Sequence, residues 1–185
     1  MIAEVRARLA GRPPRRVHEP EAWEAAVALI LVPAGSNLEM LFIKRAEQPG
    51  DPWSGQMGLP GGRRETTDGD LLDTVVRETL EETSVSLSGA ELLGELDDLF
   101  PNIKVLPQVI VRPFVFGLAA RPEIHPSEEV AGHVWVSLPD LRSSESRTDV
   151  VVRDQRMLVD AFVVGEHVIW GMTHRIVTPL LDLLD

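Results

Sequence analysis

The chain has 185 residues and a formal charge of −11, and 44% of its residues are hydrophobic. This composition is typical of a globular protein with one sizeable core, and the length suits a single domain. So acidic a chain is a poor general binder of nucleic acid, because phosphate contacts need a basic surface. The absence of cysteine excludes disulfides, thiol catalysis and cysteine-ligated zinc.

No apolar run reaches the length of about 20 residues that spans a membrane. The N-terminus carries Glu4 and no continuous apolar stretch, so it does not resemble a secretory signal. We therefore expect a cytoplasmic protein that contacts neither membranes nor nucleic acid. The five histidines show no metal-ligand spacing, and we interpret them as structural or surface residues.

The first 24 residues are predicted to form an N-terminal helix and a basic arm, ahead of a main domain at residues 25–185. Ile2, Val5 and Leu9 fall at helical spacing, and two consecutive prolines, 13 and 14, then force an extended chain. Five arginines make this segment positive, at positions 6, 8, 12, 15 and 16. They either lie on a solvated surface or meet an anionic substrate or a partner subunit, and a homodimer is one possible assembly.

Hydrophobic periodicity and turn residues predict the remaining elements in chain order. These are strands at 25–33 and 39–45, a loop-rich segment at 46–64, a helix at 70–82, strands at 91–97, 105–117 and 130–138, a helical turn at 139–141, a hairpin at 157–170 that turns at Gly165-Glu166, and a closing helix at 171–184. Pro179 lies inside the last helix, so we expect a kink or a restart there. A strand-rich order with two main helices favours an α/β fold in which helices flank a mixed β-sheet.

Three glutamates in the predicted helix carry the chemical signal. Glu78, Glu81 and Glu82 stand at i, i+3 and i+4, so on a helix they project from one face. Clustered carboxylates suit hard divalent cations such as Mg²⁺ or Mn²⁺, and Arg77 is placed to orient or partly neutralise them. Gly61-Gly62 allows close approach of the backbone to a ligand. We interpret these parts as a site for metal-assisted phosphoryl hydrolysis; the alternative is a solvated helix face.

The acidity of the chain is concentrated around this helix. Residues 65–82 hold seven acidic residues and one arginine, so over half of the net charge lies in 18 residues. We interpret this segment as a local site whose partners are divalent cations. With such ions bound, it would approach neutrality and accept an anionic diphosphate.

The stretch from Gly62 to Val85 resembles the signature of the Nudix hydrolases. That signature runs Gly, five residues, Glu, seven residues, then Arg-Glu-apolar-x-Glu-Glu-x-Gly-apolar. The matching residues are Gly62, Arg77, Glu78, Glu81, Glu82 and Val85. The resemblance implies the Nudix fold, an α/β/α sandwich, over residues 25–185, and Mg²⁺ or Mn²⁺ as cofactor. It also implies Glu78 and Glu82 as the main metal ligands, Glu81 as a further ligand or the base, the Gly62 carbonyl as another ligand, and Arg77 in the catalytic set.

The chain departs from that pattern in the loop. Fourteen residues separate Gly62 from Arg77, where the pattern has thirteen, and the first acidic position falls on either Asp68 or Gly69. In Nudix proteins this position mainly supports the loop, so the departure concerns loop geometry. Nudix proteins also often take an acidic ligand or base from a late loop, and Glu129 is the candidate here; the alternative is an exposed loop residue.

Two segments outside the signature look like those of coenzyme A pyrophosphatases. They are Lys44-Arg45-Ala46 with the following 54–62, and Val168–Thr173 before the last helix. The resemblance implies hydrolysis of the diphosphate of coenzyme A or its thioesters. It is partial, because residues 46–62 contain no Lys or Arg. ADP-ribose, dinucleotides and oxidised nucleotides are the rival substrates, and a non-catalytic nucleotide-binding regulator is the alternative to an enzyme.

Basic residues near the predicted site are candidates for contacts with substrate phosphates. They are Arg45, Arg63, Arg64 and Lys104, each with a solvated surface charge as the alternative. Arg45 is the strongest, because it ends a strand beside the glycine-rich loop. Trp53 either stacks on a base or packs the loop.

Overall fold

The computed structural model describes residues 1–51, 53–101, 108–152 and 155–185. Its helices are α1 (Ile2–Ala10), α2 (Leu71–Thr83), α3 (Leu138–Ser143) and α4 (Gly171–Leu183), with a 3₁₀ turn at Leu87–Gly89. Its strands are β1 (Trp23–Ala34), β2 (Asn37–Arg45), β3 (Met57–Gly58), β4 (Gly61–Arg63), β5 (Glu91–Glu95), β6 (Val109–Gly117), β7 (Val130–Ser137), β8 (Glu145–Val152), β9 (Gln155–Val164) and β10 (His167–Trp170).

A mixed seven-stranded sheet forms the centre, and β1 is its middle strand. The main path runs β3-β2-β1-β6-β5, while β4 pairs with β1 and β7 with β2. β1 is antiparallel to β2 and β4 and parallel to β6. Its residues from Ala28 to Val32 are fully buried, which explains why this segment is a continuous apolar run.

Helices cover both faces of this sheet. Alternate residues of β1 point to opposite faces, so Leu29 and Leu31 pack in one core cluster with side chains of α1, α3 and α4. Ala28 and Ile30 pack in the other cluster, with α2. The predicted class, a mixed β-sheet flanked by helices, is confirmed.

A second, three-stranded antiparallel sheet has the order β10-β9-β8. The predicted hairpin at 157–170 corresponds to β9 and β10, and its turn at Gly165-Glu166 is confirmed. Strand β8 was not expected, because its residues Glu145 to Asp149 are polar and mostly exposed. Such a segment gives no apolar alternation from which a strand can be predicted.

Two further expectations differ from the structure. The segment at 46–64 contains the short strands β3 and β4, which are too short and glycine-rich to show a strand pattern. Of the kink and the restart expected at Pro179, the restart does not occur, because α4 continues through the proline from Gly171 to Leu183. Its apolar face is buried, including Val177 and Leu180, and this packing offsets the backbone hydrogen bond that proline cannot make. The predicted strand at 105–117 begins at Val109, and residues 105–107 lie outside the described residues.

The basic arm is tied to the rest of the chain. All five of its arginines form ion pairs with the chain's own carboxylates. Arg15 Nε lies 2.7 Å from Asp97 Oδ2, and Arg16 pairs with Glu95 and Asp98. Asp98 is fully buried at its side chain and also binds Arg112. The arginines thus form ion pairs on the surface, where Arg6 and Arg15 keep 53% and 87% of their side chains exposed.

None of the helices in the described ranges is both long and apolar enough to cross a membrane. The N-terminal helix α1 instead packs on the sheet through Val5 and Leu9, which are 1% and 5% exposed. Leu9 lies against β5, where the Cβ of any side chain at Gly94 would come within 2.9 Å of Leu9 Cβ. This close approach makes α1 part of the core.

The substitution Leu9→Ala tests the contribution of α1 to stability. We expect it to lower the free energy of unfolding by about 2–4 kcal/mol, because it leaves a cavity in a packed core. Urea denaturation measures the change. Leu80→Ala is the control, since Leu80 is 49% exposed and its truncation costs less than about 0.5 kcal/mol. Equal effects of the two substitutions would show that α1 does not contribute to the core.

Candidate functional site

Helix α2 carries the acidic residues and has defined ends. Asp70 caps its N-terminus, because the Asp70 side chain accepts a hydrogen bond from the Asp73 amide at 2.9 Å. Its C-terminal residue Thr83 is followed by Ser84 in the left-handed conformation, with φ of 60°. The Ser84 amide donates to the carbonyl of Leu80. Ser84 therefore takes the conformation for which glycine is usual at this position.

Strand β4 holds a backbone segment directly against the carboxylates of α2. The Gly61 amide donates to Glu82 Oε2 at 2.8 Å. A Cβ on Gly62 would lie 2.5 Å from the carboxyl carbon of Glu78. Gly61 has φ of +145°, and a Cβ there would overlap the backbone of Ala26 and Val27 on β1. The two glycines thus fit between β1 on one side and the glutamates on the other.

Burial and mutual repulsion raise the pKa of two glutamates in this place. Burial raises the pKa of Glu82 to about 7, and the charges of Glu78 and Glu129 add to the effect, while the Gly61 amide and Arg45 oppose it. Burial also raises the pKa of Glu78, with added repulsion from Glu81 and Glu129 and opposition from Arg77. The positive charges of Arg77 and Arg45 therefore do not balance the negative charges of the carboxylates in this site.

Arg77 links the helix to the loop that precedes it. Its Nε and Nη2 donate to the two oxygens of Asp68, each at 2.9 Å. Its Nη1 donates to Glu78 Oε1 at 2.9 Å and to Glu81 Oε2 at 3.1 Å. Asp68 fixes the position of Arg77, and Arg77 in turn orients Glu78, which is one of the two roles that the sequence offered for it.

Asp68 is the residue whose importance the sequence left open. It is buried, and it also accepts hydrogen bonds from the Glu65 amide and the Thr74 hydroxyl. The hydrogen bonds from Arg77, with those from Glu65 and Thr74, hold its pKa well below the usual range even though burial opposes this. By residue count, Asp68 and Gly69 are equally good matches to the first acidic position of the signature. The path of the loop decides between them, because it brings Asp68 to Arg77.

The three glutamates of the helix lie in different surroundings. Glu82 is buried, Glu78 keeps 17% of its side chain exposed, and Glu81 keeps 58% exposed. Glu81 is held by Arg77 at the rim, whereas Glu82 contacts the backbone of β4. The i, i+3, i+4 spacing thus places all three near one another, but their side chains differ in burial.

Glu129 approaches this group from the loop before β7. The Ser127 amide donates to the carbonyl of Glu82 at 3.0 Å, and the Ala46 amide donates to the carbonyl of Glu129 at 2.8 Å. These bonds fix the loop between the end of α2 and the end of β2. The Glu129 charge consequently raises the pKa of both Glu78 and Glu82.

The donor chemistry at Glu78 and Glu82 suits a divalent cation. Both are carboxylates with raised pKa values, and a cation between them would relieve the repulsion. Within residues 1–51, 53–101, 108–152 and 155–185, no three His, Asp or Glu side chains converge closely enough to hold a metal ion. A complete site thus needs Glu81, Glu129 or the Gly62 carbonyl as well, and those ligand roles stay predictions.

A cavity of about 290 Å³ opens beside the two glycines. Residues of β1, β6 and α4 line it, together with Trp53; Trp23, the first residue of β1, is among them. The guanidinium of Arg63 lies over the Trp23 ring, 3.7 Å from the ring centre. Trp23 was not singled out from the sequence, because an exposed tryptophan at the start of a strand gives no pattern.

The predicted phosphate-binding arginines divide into two groups. Arg45 and Arg63 line the cavity, and Arg45 also binds Asp51 at 2.9 Å. Arg64 instead binds Glu24 at 2.8 Å and the carbonyl of Gly69 at 2.8 Å, so the structure does not bring it to the cavity. Lys104 lies outside the described residues.

Comparison with known proteins gives a family match. A family model described as NUDIX domain matches residues 23–159. The chain is 34% identical over 141 residues to an uncharacterised protein of Schizosaccharomyces pombe; the match covers 74% of this chain and 41% of that protein. It is 26% identical to the uncharacterised Nudix hydrolase NudL of Pectobacterium atrosepticum, over 90% of this chain and 84% of that protein.

A solved structure extends the comparison to the fold. The MutT/nudix family protein from Enterococcus faecalis superposes with a TM-score of 0.60 at 17% identity, over 98% of this chain and 70% of that one. At this identity the likeness concerns the fold alone.

The substitution Asp68→Asn tests the pair that positions Arg77. We expect it to lower the free energy of unfolding at pH 7 by about 2–4 kcal/mol, because it breaks a buried, charge-assisted pair. The pKa of Asp68 is lowered in the folded state, so its stabilising contribution is complete above the unfolded value of about 3.9 and is lost as pH falls further. The difference from wild type should be constant between pH 5 and 8 and shrink below about pH 4.

Thermal or urea unfolding across this pH range measures the difference. Glu65→Gln is the matched control, because Glu65 is 63% exposed and lies 4.0 Å from the same arginine; its effect should stay below about 0.5 kcal/mol. A pH-independent difference for Asp68→Asn would contradict the ionised pair.

Proposed function

Because the chain belongs to the Nudix family, we propose that it is a metal-dependent pyrophosphohydrolase whose favoured substrate is coenzyme A or its thioesters. Hydrolysis of a pyrophosphate bond follows from the family and from relatives that are named Nudix hydrolases. The finer proposal rests on one observation. The carboxylates of Glu78 and Glu82, whose pKa values are raised, contact Gly61 and Gly62. These two glycines line a cavity that Trp23 and Trp53 also line.

The chain's own groups prepare this site before substrate arrives. The Gly61 amide holds Glu82, and Arg77 holds Glu78, so neither carboxylate has to reorganise during the reaction. Nudix enzymes generally use divalent metal ions, and we assign the oxygens of Glu78 and Glu82 as the main ligands. A divalent ion held there would supply positive charge to the diphosphate and would lower the pKa of a bound water.

Two exposed carboxylates are candidates for the base that accepts the proton of the attacking water. Glu81 is held at the rim by Arg77, and Glu129 lies on the loop that binds the end of α2. We propose Glu81 as the base or a further ligand, and Glu129 as the alternative. Separate substitution of each by glutamine, with rates measured against pH, identifies the base as the one whose loss removes the acidic limb of the profile, where the rate falls as the base becomes protonated.

The cavity supports the proposed substrate class. Its volume of about 290 Å³ lies just below the range of small-molecule sites, about 300–1,000 Å³, so it suits one moiety of a two-part substrate. Trp53 offers a surface on which a base can stack, whereas one face of Trp23 already carries the Arg63 guanidinium. Arg45 and Arg63 line the same cavity and supply positive charge for phosphate groups.

The segments that resemble coenzyme A pyrophosphatases meet at this cavity. Arg45 and Met57 come from the first segment and its continuation, and Met172 and Thr173 from the second; all four line it. The Thr173 hydroxyl donates to the carbonyl of Met57 at 3.2 Å, which joins the two segments. Their shared position favours coenzyme A over ADP-ribose, dinucleotides or oxidised nucleotides.

A panel of diphosphate substrates with Mg²⁺ and Mn²⁺ tests the function. We expect release of 3′,5′-ADP and phosphopantetheine from coenzyme A, detected by chromatography. Glu82→Gln should lower kcat by about 10²–10⁴-fold, because the substitution removes a charged oxygen ligand. Glu65→Gln changes the same charge at an exposed position and should leave kcat within about twofold.

The outcomes of this panel separate the alternatives. Faster turnover of ADP-ribose, a dinucleotide or an oxidised nucleotide would overturn the coenzyme A proposal and retain the hydrolase. Binding of nucleotides without any turnover would favour a non-catalytic regulator. Turnover that survives in Glu82→Gln would overturn the ligand assignment.

The substitution Gly62→Ala tests the close approach of β4 to Glu78. A Cβ at Gly62 would lie 2.5–2.7 Å from all three atoms of the carboxyl group, so the carboxylate must move. We expect kcat/KM to fall at least tenfold, because small displacements of a positioned group are costly in rate.

Gly132→Ala provides the control for this substitution. Gly132 also lies in a strand and has no atom within 4 Å of an added Cβ. Its kcat/KM should match wild type within about twofold. Equal losses in the two variants, or wild-type rates in Gly62→Ala, would contradict a role for this contact.

A further inference from the structure

The second sheet ends in an open strand. Strand β8 forms one edge of the order β10-β9-β8, and in the part of the chain that the structure describes it pairs with β9 alone. Residues of β8 are mostly exposed. An edge strand presents a row of unpaired amide and carbonyl groups, which is a template for pairing with another chain.

Apolar side chains surround this edge on the β8–β9 ribbon. Val151 is 69% exposed, Leu158 is 56% exposed and Met157 is 46% exposed. Val151 and Leu158 lie on one face of this ribbon and Met157 on the other, because Asp149 pairs with Leu158 and Val150 pairs with Met157. The ribbon therefore has both the backbone groups and the apolar surface that an interface uses.

The charges of β8 complement those of a second, antiparallel copy of itself. In antiparallel pairing, residues that lie opposite each other point to the same face. A two-fold axis perpendicular to the sheet must therefore lie between one residue and the same residue of the second copy. With the axis at Thr148, Arg147 lies opposite Asp149 of the second copy, and the reverse pair forms on the other side of the axis. Seven residues of each strand, 145–151, then overlap.

Neighbouring registers are less favourable. With the axis at 147, Arg147 faces its own copy and Glu145 faces Asp149, so like charges meet. With the axis at 149, Asp149 faces its own copy. With the axis at 150, only residues 148–152 overlap among those described, and Arg147 has no acidic residue opposite. With the axis at 146, Glu145 faces Arg147, but only residues 145–147 of β8 overlap. Opposite-charge pairs across strands are stabilising and like-charge pairs destabilising, so charge and length of overlap together select the axis at Thr148.

We propose that two copies of the chain associate through antiparallel pairing of their β8 strands about a two-fold axis at Thr148. The pairing joins the two three-stranded sheets into one sheet of six strands. Within one copy, Arg147 lies 3.3 Å from Asp160 and Asp149 lies 4.0 Å from Arg156, all four on exposed side chains. The second copy supplies opposite charges on the open side of β8, where no other strand of the same copy pairs among the described residues.

Sedimentation equilibrium of the full chain tests the association. We expect wild type to dimerise and Asp149→Arg to weaken the dimer at least tenfold, because two attractive pairs become two repulsive ones. Adding Arg147→Asp to that variant exchanges the two charges and should restore dimerisation. Arg156→Asp is the matched control, since it disrupts the same pair within one copy and leaves the proposed contacts intact.

Cross-linking tests the register directly, because the native chain has no cysteine. In Thr148→Cys the two thiols lie opposite each other, with Cβ atoms about 4.5–5.5 Å apart, close to disulfide geometry. In Ser146→Cys the two thiols are separated by four residues, about 13 Å. Mild oxidation should therefore cross-link Thr148→Cys and not Ser146→Cys.

Three results would overturn the proposal. They are a monomeric wild type at all concentrations measured, a dimer that Asp149→Arg and Arg156→Asp weaken equally, and equal cross-linking of the two cysteine variants. These readouts do not depend on hydrolytic activity, so failure of the proposed function leaves them valid.

Discussion

The absence of side chains at Gly61 and Gly62 is the constraint on which the site depends. Strand β4 lies between β1 and α2, and a Cβ at either glycine would overlap one neighbour or the other. Because this space is so narrow, the Gly61 amide reaches Glu82 and the Gly62 backbone touches Glu78. The buried middle strand β1 fixes the position of β4, so the core of the sheet determines the geometry of the carboxylates.

Electrostatic balance explains why the acidic site is compatible with a stable fold. Burial and repulsion disfavour the charges of Glu78 and Glu82. Arg77 offsets part of that cost, and Asp68 fixes Arg77 from the opposite side through two hydrogen bonds. The remaining shortage of positive charge is what a divalent cation and a phosphate-bearing substrate would share. A less acidic site would be more stable alone and would attract cations less.

The two sheets contribute to function in different ways. The central sheet holds β4 against the glutamates of α2, and its strands β1 and β6 line the cavity together with segments far apart in sequence. The β8–β9 ribbon lies outside this core and keeps large apolar side chains exposed. An alternating pattern of Arg and Asp at a sheet edge usually prevents association. Around a two-fold axis at Thr148, the same charges are complementary, because Arg147 of each strand lies opposite Asp149 of the other.

The sequence by itself determined the α/β class, the helix over residues 70–82, the hairpin turn at Gly165-Glu166 and the segment that carries the family signature. These features depend on periodicity and spacing, which are local properties of the chain. Tertiary structure alone decided that Asp68 rather than Gly69 binds Arg77, that Glu81 is exposed while Glu82 is buried, and that Arg45 and Arg63 line the cavity whereas Arg64 does not. Those outcomes depend on the path of a loop and on packing between distant strands, and helical spacing does not distinguish a buried position from one at the rim.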